Sequence, residues 1–136
     1  MKKIEKDGIL YCIYDDLNSL SDKSESKWYS KSSEAIQVCR MNYNKGKEFK
    51  AHKHILRPRL NNYTQEAIIV LKGKISATIY DKNDTIIAVI KLKENNIGIF
   101  FTGGHGFEVL SDNTVFYEIK NGEFTRVEED KKYIEE

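Results

Sequence analysis

Apolar and polar residues alternate in short runs along most of the chain. A period of two residues is typical of a β-strand. Because successive side chains of a strand point to opposite faces, each run predicts a strand with one buried face. The runs that predict strands are residues 8–14, 35–43, 48–55, 67–71, 75–80, 85–92, 97–101, 107–110 and 114–120. Polar residues separate them, and the DKND turn at residues 81–84 indicates a hairpin.

The order of these runs predicts the architecture. No window of helical periodicity competes with the strands before the tail, and short strands without intervening helices indicate an all-β, antiparallel sandwich or barrel. Residues 67–71 (AIIVL) are apolar at every position, as expected for a strand that is covered on both faces. A length of 136 residues predicts a single domain spanning residues 1–136.

Two segments differ from the strand pattern. Residues 15–33 are rich in serine, acids and lysine and are predicted to form a polar loop or arm, but Trp28 and Tyr29 near its end would pack on the sheets or on a partner chain. The charged tail, residues 121–136, is predicted to lie on the outside as a short strand or helical end. We expect a homodimer formed through the N-terminal strand and the Trp28 arm, because an exposed sheet edge readily pairs with its copy.

Charge and cysteine content narrow the function classes. The 22 lysines and arginines nearly balance 21 aspartates and glutamates, which argues against a nucleic-acid or membrane partner. No apolar run approaches the roughly 20 residues that span a bilayer, and no signal-peptide cleavage pattern follows the first residues, so we expect a cytoplasmic protein. Cys12 and Cys39 are expected to be small buried residues, and a bridge between them, although conceivable, is not predicted.

The histidines are the main candidates for chemistry. His52 and His54 form an H-x-H pair on the predicted strand 48–55, where residues two apart share a face and can reach one ion together. If later strands bring Glu66 and His105 alongside, three imidazoles and one carboxylate surround a point. That set suits one divalent transition metal, such as zinc, iron, nickel or manganese, with positions left open for water or substrate.

These residues resemble the first motif of the cupin superfamily, which consists of a glycine, five residues, H-x-H, a short gap, a glutamate, six residues and a glycine. Gly46 and Gly73 stand at the matching intervals from His52 and Glu66. The gap between His54 and Glu66 holds eleven residues (ILRPRLNNYTQ), where the family usually has three or four. The second motif ends in Pro-x-Gly-x-x-His, and this chain has TGGH at residues 102–105, with no proline.

The resemblance covers roughly residues 34–124 and implies an antiparallel jelly-roll β-barrel that binds metal. The long gap, with its arginines and the TQE run at residues 64–66, resembles a subgroup of small bacterial cupins that is associated with surface-polysaccharide gene clusters. This resemblance implies a metal-dependent isomerase or epimerase of a sugar or nucleotide sugar. Cupins also include iron-dependent dioxygenases and non-catalytic proteins that bind carbohydrates or small acids. The fold alone does not choose among these functions, and whether the chain is an enzyme stays open.

Other residues near the motifs are candidates for substrate contact or acid–base chemistry. Arg57 and Arg59 flank the single proline and could hold an anionic group of a sugar substrate through paired hydrogen bonds, or could pair with surface acids. Gln65 could contact substrate or orient a ligand. Glu108 and Tyr117 are the candidates for acid–base catalysis, although each could equally be a surface or core residue, since the sequence does not say which strand face is inward.

Overall fold

The computed structural model describes residues 1–18, 25–55, 58, 62–123 and 126–135. Within these ranges it has ten strands and one helical turn. They are β1 (Lys2–Lys6), β2 (Ile9–Asp16), β3 (Glu25–Trp28), β4 (Cys39–Asn42), β5 (Glu66–Lys72), β6 (Lys74–Tyr80), β7 (Ile86–Lys93), β8 (Asn96–Phe100), β9 (Gly104–Val109), β10 (Val115–Lys120) and α1 (Val127–Asp130).

The strands form three antiparallel sheets. The largest has five strands in the order β1-β2-β8-β5-β10, the second has three in the order β7-β6-β9, and β3 pairs with β4. Every strand pair is antiparallel. The prediction of an all-β, antiparallel protein is therefore confirmed. No helix in the described part of the chain has the length and apolar character needed to cross a membrane.

The core lies on both faces of the five-stranded sheet. On the inner face, Ile68 of β5 and Phe100 of β8 pack against residues of the three-stranded sheet such as Ile75. On the outer face, Ala67 and Ile99 pack against a second set of buried residues. That set includes Tyr29 and Ile36, so the segment after β3 covers the middle of the sheet, and the two-sided burial predicted for β5 is confirmed.

Most predicted strands appear within a few residues of their expected bounds, including both strands of the β6–β7 hairpin. The predicted strand 35–43 is reduced to β4. The sequence did not predict β1, because its KKIEK pattern has a single apolar residue and its strand conformation depends on pairing with β2. The segments predicted to be an arm and a charged tail contain β3 and α1, respectively.

The predicted strand at residues 48–55 is wrong. Residues 44–55 are all exposed and contain no strand, and Ile55 is 87% exposed. An alternating pattern becomes a strand only where a neighbouring backbone completes its hydrogen bonds, and no described strand pairs with this segment. His52 and His54 therefore lie on an exposed segment and not on a sheet face.

Candidate functional site

Glu66 and His105 meet in the space between the two larger sheets. Glu66 opens β5, opposite Phe100 of β8, and its side chain shares the inner face with Ile68. His105 lies on β9, opposite Ile79 of β6, and faces it from the other sheet. His105 Nε2 donates a hydrogen bond to Glu66 Oε2 at 2.8 Å. Residues 39 positions apart are thus joined by the packing of two sheets.

The carboxylate of the pair is buried and charged. Glu66 is only 5% exposed. The hydrogen bond from His105 holds the pKa of Glu66 below its ordinary value although burial acts in the opposite direction, and the charges of Lys131 and Lys120 also lower it. The carboxylate is therefore ionised at neutral pH. As an acceptor only, it fixes the proton of a neutral His105 ring on Nε2, which leaves the lone pair on Nδ1.

Lys120 extends this pair into a network. Lys120 lies opposite Glu66 in the β5–β10 register, and its Nζ is 4.0 Å from Glu66 Oε1. The same ammonium donates to Asp130 Oδ2 of α1 at 2.8 Å and lies 3.8 Å from Glu118. The hydrogen bond to Asp130 raises the pKa of Lys120. Lys120 thus brings positive charge to a site with three carboxylates, and α1 is anchored beside it.

Two aromatic rings hold the imidazole of His105. Its centroid lies 4.7 Å from that of Phe100 and 5.1 Å from that of Phe107, and the two phenyl rings contact each other at 5.3 Å. Offset contacts of this kind restrict ring rotation and exclude water from one side of the ring. The structure therefore fixes both the orientation and the tautomer of His105.

His52 and His54 lie close to each other on the exposed segment. Their ring centroids are 5.3 Å apart and nearly perpendicular, and His52 Nδ1 is hydrogen bonded to the carbonyl of Lys50 at 3.0 Å. This bond places the proton of a neutral His52 on Nδ1 and leaves Nε2 able to bind a metal.

The four predicted ligands thus form two separate pairs. Within the described ranges, no three histidine, cysteine or acidic side chains come close enough together to hold an ion. The donor types fit a divalent transition metal, but the four-ligand set is not assembled in this structure. An ion bound between Glu66 and His105 would also have to replace their hydrogen bond.

Gln65, predicted to contact substrate, makes three hydrogen bonds within the protein. Its side chain is 2% exposed, and its Oε1 accepts from the N–H of Ile36 at 2.9 Å. Its Nε2 donates to Glu34 Oε2 at 2.6 Å and to the carbonyl of Phe101 at 3.1 Å. Gln65 therefore attaches the segment around Ile36 to the start of β5, an interior strand of the five-stranded sheet.

Glu108 and Tyr117, the predicted acid–base residues, do not join the Glu66–His105 pair. Because His105 and Phe107 face inward on β9, alternation turns Glu108 outward, where it is exposed opposite Ser76. Tyr117 lies on the outer face of β10 and is 60% exposed. Arg57 and Arg59, the predicted anion-binding residues, lie outside the described residues.

Cys12 shares the inner face with this site but has no reactive character. It lies opposite Phe100 of β8, is fully buried, and burial raises its pKa to about 12. A thiol in that environment is neither a thiolate nucleophile nor a metal ligand. Cys39 is also a free thiol, and it is only partly buried.

The sequence missed Lys120 and Asp130. The YEIK run of β10 alternates, but only its register with β5 shows that Lys120 stands beside Glu66. Asp130 belongs to the charged tail, where no pattern distinguishes one acid from the next.

Comparison of the chain with protein-family models, with curated proteins and with solved structures found no match.

Proposed function

We propose that this chain is a metal-binding protein of the cupin type, with a jelly-roll fold, that isomerises or epimerises a sugar or nucleotide sugar. The observation that carries the proposal is the Glu66–His105 pair, which joins two motif residues between facing sheets. His52 and His54 would complete the ligand set. A divalent ion bound there supplies a Lewis acid that polarises a keto or hydroxyl oxygen of the sugar.

The residues of the pair are suited to moving a proton beside a carbonyl, which both reactions require. When no ion is bound, His105 presents Nδ1 as a base, while the carboxylate of Glu66 holds the ring through Nε2 and stabilises the imidazolium that forms. Phe100 and Phe107 keep water from one side of the ring. Lys120 offsets part of the negative charge near Glu66 and could orient a sugar hydroxyl.

A metal-free version of the same chemistry is the second candidate. It is favoured by the direct hydrogen bond between Glu66 and His105, because this bond already satisfies the carboxylate and the Nε2 atom that an ion would need. In this version His52 and His54 contact substrate or solvent, and the pair acts as a general acid and base without Lewis-acid assistance.

Elemental analysis of the purified protein tests the proposal and separates the two versions. We expect about one divalent ion per chain in the wild type, and loss of the ion from Glu66→Gln and His54→Ala. Glu94→Gln, a change of an exposed carboxylate in the β7–β8 turn, is the matched control and should keep the metal. A protein that stays metal-free after reconstitution would exclude the metal-dependent version.

Proton exchange then tests the sugar chemistry. Incubation in deuterated water with a panel of nucleotide sugars should place deuterium next to the carbonyl carbon, and His105→Ala should abolish the exchange. Oxygen consumption by an iron-loaded protein would replace the proposal with the dioxygenase alternative. Tight sugar binding without any exchange would leave a non-catalytic carbohydrate-binding protein.

A further inference from the structure

A cavity of about 540 Å³ lies at the start of β5, outside the site described above. Gln65 and Phe101 form part of its wall. Gln65 points toward the segment around Ile36, whereas Glu66, the next residue, points to His105 between the sheets. The cavity and the Glu66–His105 pair therefore lie on opposite sides of the chain at this point. The volume falls in the range of small-molecule sites.

Glu34 is held at the wall of this cavity. Its Oε2 accepts the 2.6 Å hydrogen bond from Gln65, whose amide is fixed in turn by the backbones of Ile36 and Phe101. Within the described part of the chain, Glu34 Oε1 has no hydrogen-bond partner. The structure thus presents an oriented carboxylate oxygen that can accept hydrogen bonds from hydroxyl groups.

Two lysines add positive charge to the same cavity. Lys31 and Lys82 both line it and are exposed. Across the described ranges, neither ammonium has an ion-pair partner. The half-exposed ring of Tyr63 and the hydroxyl of Thr102 complete a surface with one flat apolar element and several polar ones. Such a combination matches a sugar ring that carries a negative group.

We propose that this cavity binds a small polyhydroxylated anion, either a sugar phosphate or a sugar acid. Lys31 and Lys82 bind the phosphate or carboxylate, and Glu34 and Thr102 bind ring hydroxyls. A bare anion is disfavoured because Glu34 repels it, and a neutral sugar leaves both ammonium groups unpaired. The site goes beyond the proposed function and does not depend on it, since none of its ligands belongs to the Glu66–His105 pair.

Isothermal titration calorimetry of the full chain tests the site with four probes. Glucose 6-phosphate represents sugar phosphates and glucuronate represents sugar acids. Glucose has the ring hydroxyls without the charge, and inorganic phosphate has the charge without the sugar ring; these two are the half-probes. We expect at least one of the two sugar anions to bind at one per chain, and both half-probes to bind at least about tenfold more weakly. Which sugar anion binds more tightly identifies the source of the charge.

Paired variants locate the binding. Replacing both lysines (Lys31→Gln with Lys82→Gln) should weaken binding by roughly tenfold to a hundredfold, because two charge-assisted hydrogen bonds are lost. Lys45→Gln with Lys93→Gln changes two exposed lysines that do not line the cavity and should leave affinity unchanged.

Three results would overturn the proposal. The first is no binding of either sugar anion, and the second is equal affinity for inorganic phosphate and glucose 6-phosphate. The third is binding that survives loss of Lys31 and Lys82 but disappears in His105→Ala, which would assign the ligand to the other site. Loss of metal or of proton exchange in the earlier experiments leaves this proposal unaffected.

Discussion

The buried amide of Gln65 makes three hydrogen bonds that connect β5 with the segment covering the outer face of the large sheet. Gln65→Leu keeps a side chain of similar size but removes every polar atom. The N–H of Ile36, the carbonyl of Phe101 and the carboxylate of Glu34 each lose a partner. A buried polar group without a partner lowers the free energy of unfolding by about 1–3 kcal/mol. Burial of the more apolar leucine side chain offsets part of this loss.

We therefore expect Gln65→Leu to lower the free energy of unfolding by about 3–5 kcal/mol, a large share of the 5–15 kcal/mol typical of a domain. Urea denaturation followed by far-ultraviolet circular dichroism measures this change. The corresponding fall in Tm is roughly 10–20 °C for a chain of this size.

Gln37→Leu is the matched control. Gln37 belongs to the same segment and donates two hydrogen bonds, to the carbonyls of Lys31 and Glu34, but it is exposed. Because water replaces those bonds, we expect a loss below about 1 kcal/mol. Equal losses in the two variants, with unchanged denaturant dependence, would refute the claim that the buried amide anchors this segment.

Two further predictions concern the site and its motif. Glu66→Gln should lower the free energy of unfolding by about 1–3 kcal/mol at pH 7, because the hydrogen bond from His105 loses its charged acceptor. Because folding lowers the pKa of Glu66, its charge stabilises the fold fully at pH values above the ordinary pKa of 4.5. This stabilisation is lost as the pH falls through the pKa of the folded state. Urea denaturation between about pH 7 and 3 should therefore show the two proteins converging in acid, and a constant difference would contradict the assignment. Gly73→Ala should be more destabilising than Gly8→Ala by roughly 1–3 kcal/mol in thermal or urea denaturation. Both glycines have nearly the same φ (77° and 76°), but only at Gly73 would an added Cβ clash with Thr114 Oγ1. Equal losses would show that Gly73 is required for its backbone angle alone.

Most of the strands could be located from the amino-acid sequence alone. Alternation has a period of two and needs only neighbouring residues, so the runs at β2 and β5 to β10 could be located without knowledge of their partners. The uniformly apolar AIIVL run likewise predicted that β5 is covered on both faces, because alternate residues of a strand point to opposite faces and here both sets are apolar.

Which residues meet at the site could not be predicted, because strand register and sheet packing depend on residues far apart in sequence. Residues 48–55 do not form the predicted strand, and His52 and His54 lie apart from Glu66 and His105. The inward face of β9 turned Glu108 away, and the register of β10 brought Lys120 to Glu66. The sequence shows which chemical groups are present, but which of them come into contact depends on how the two sheets pack.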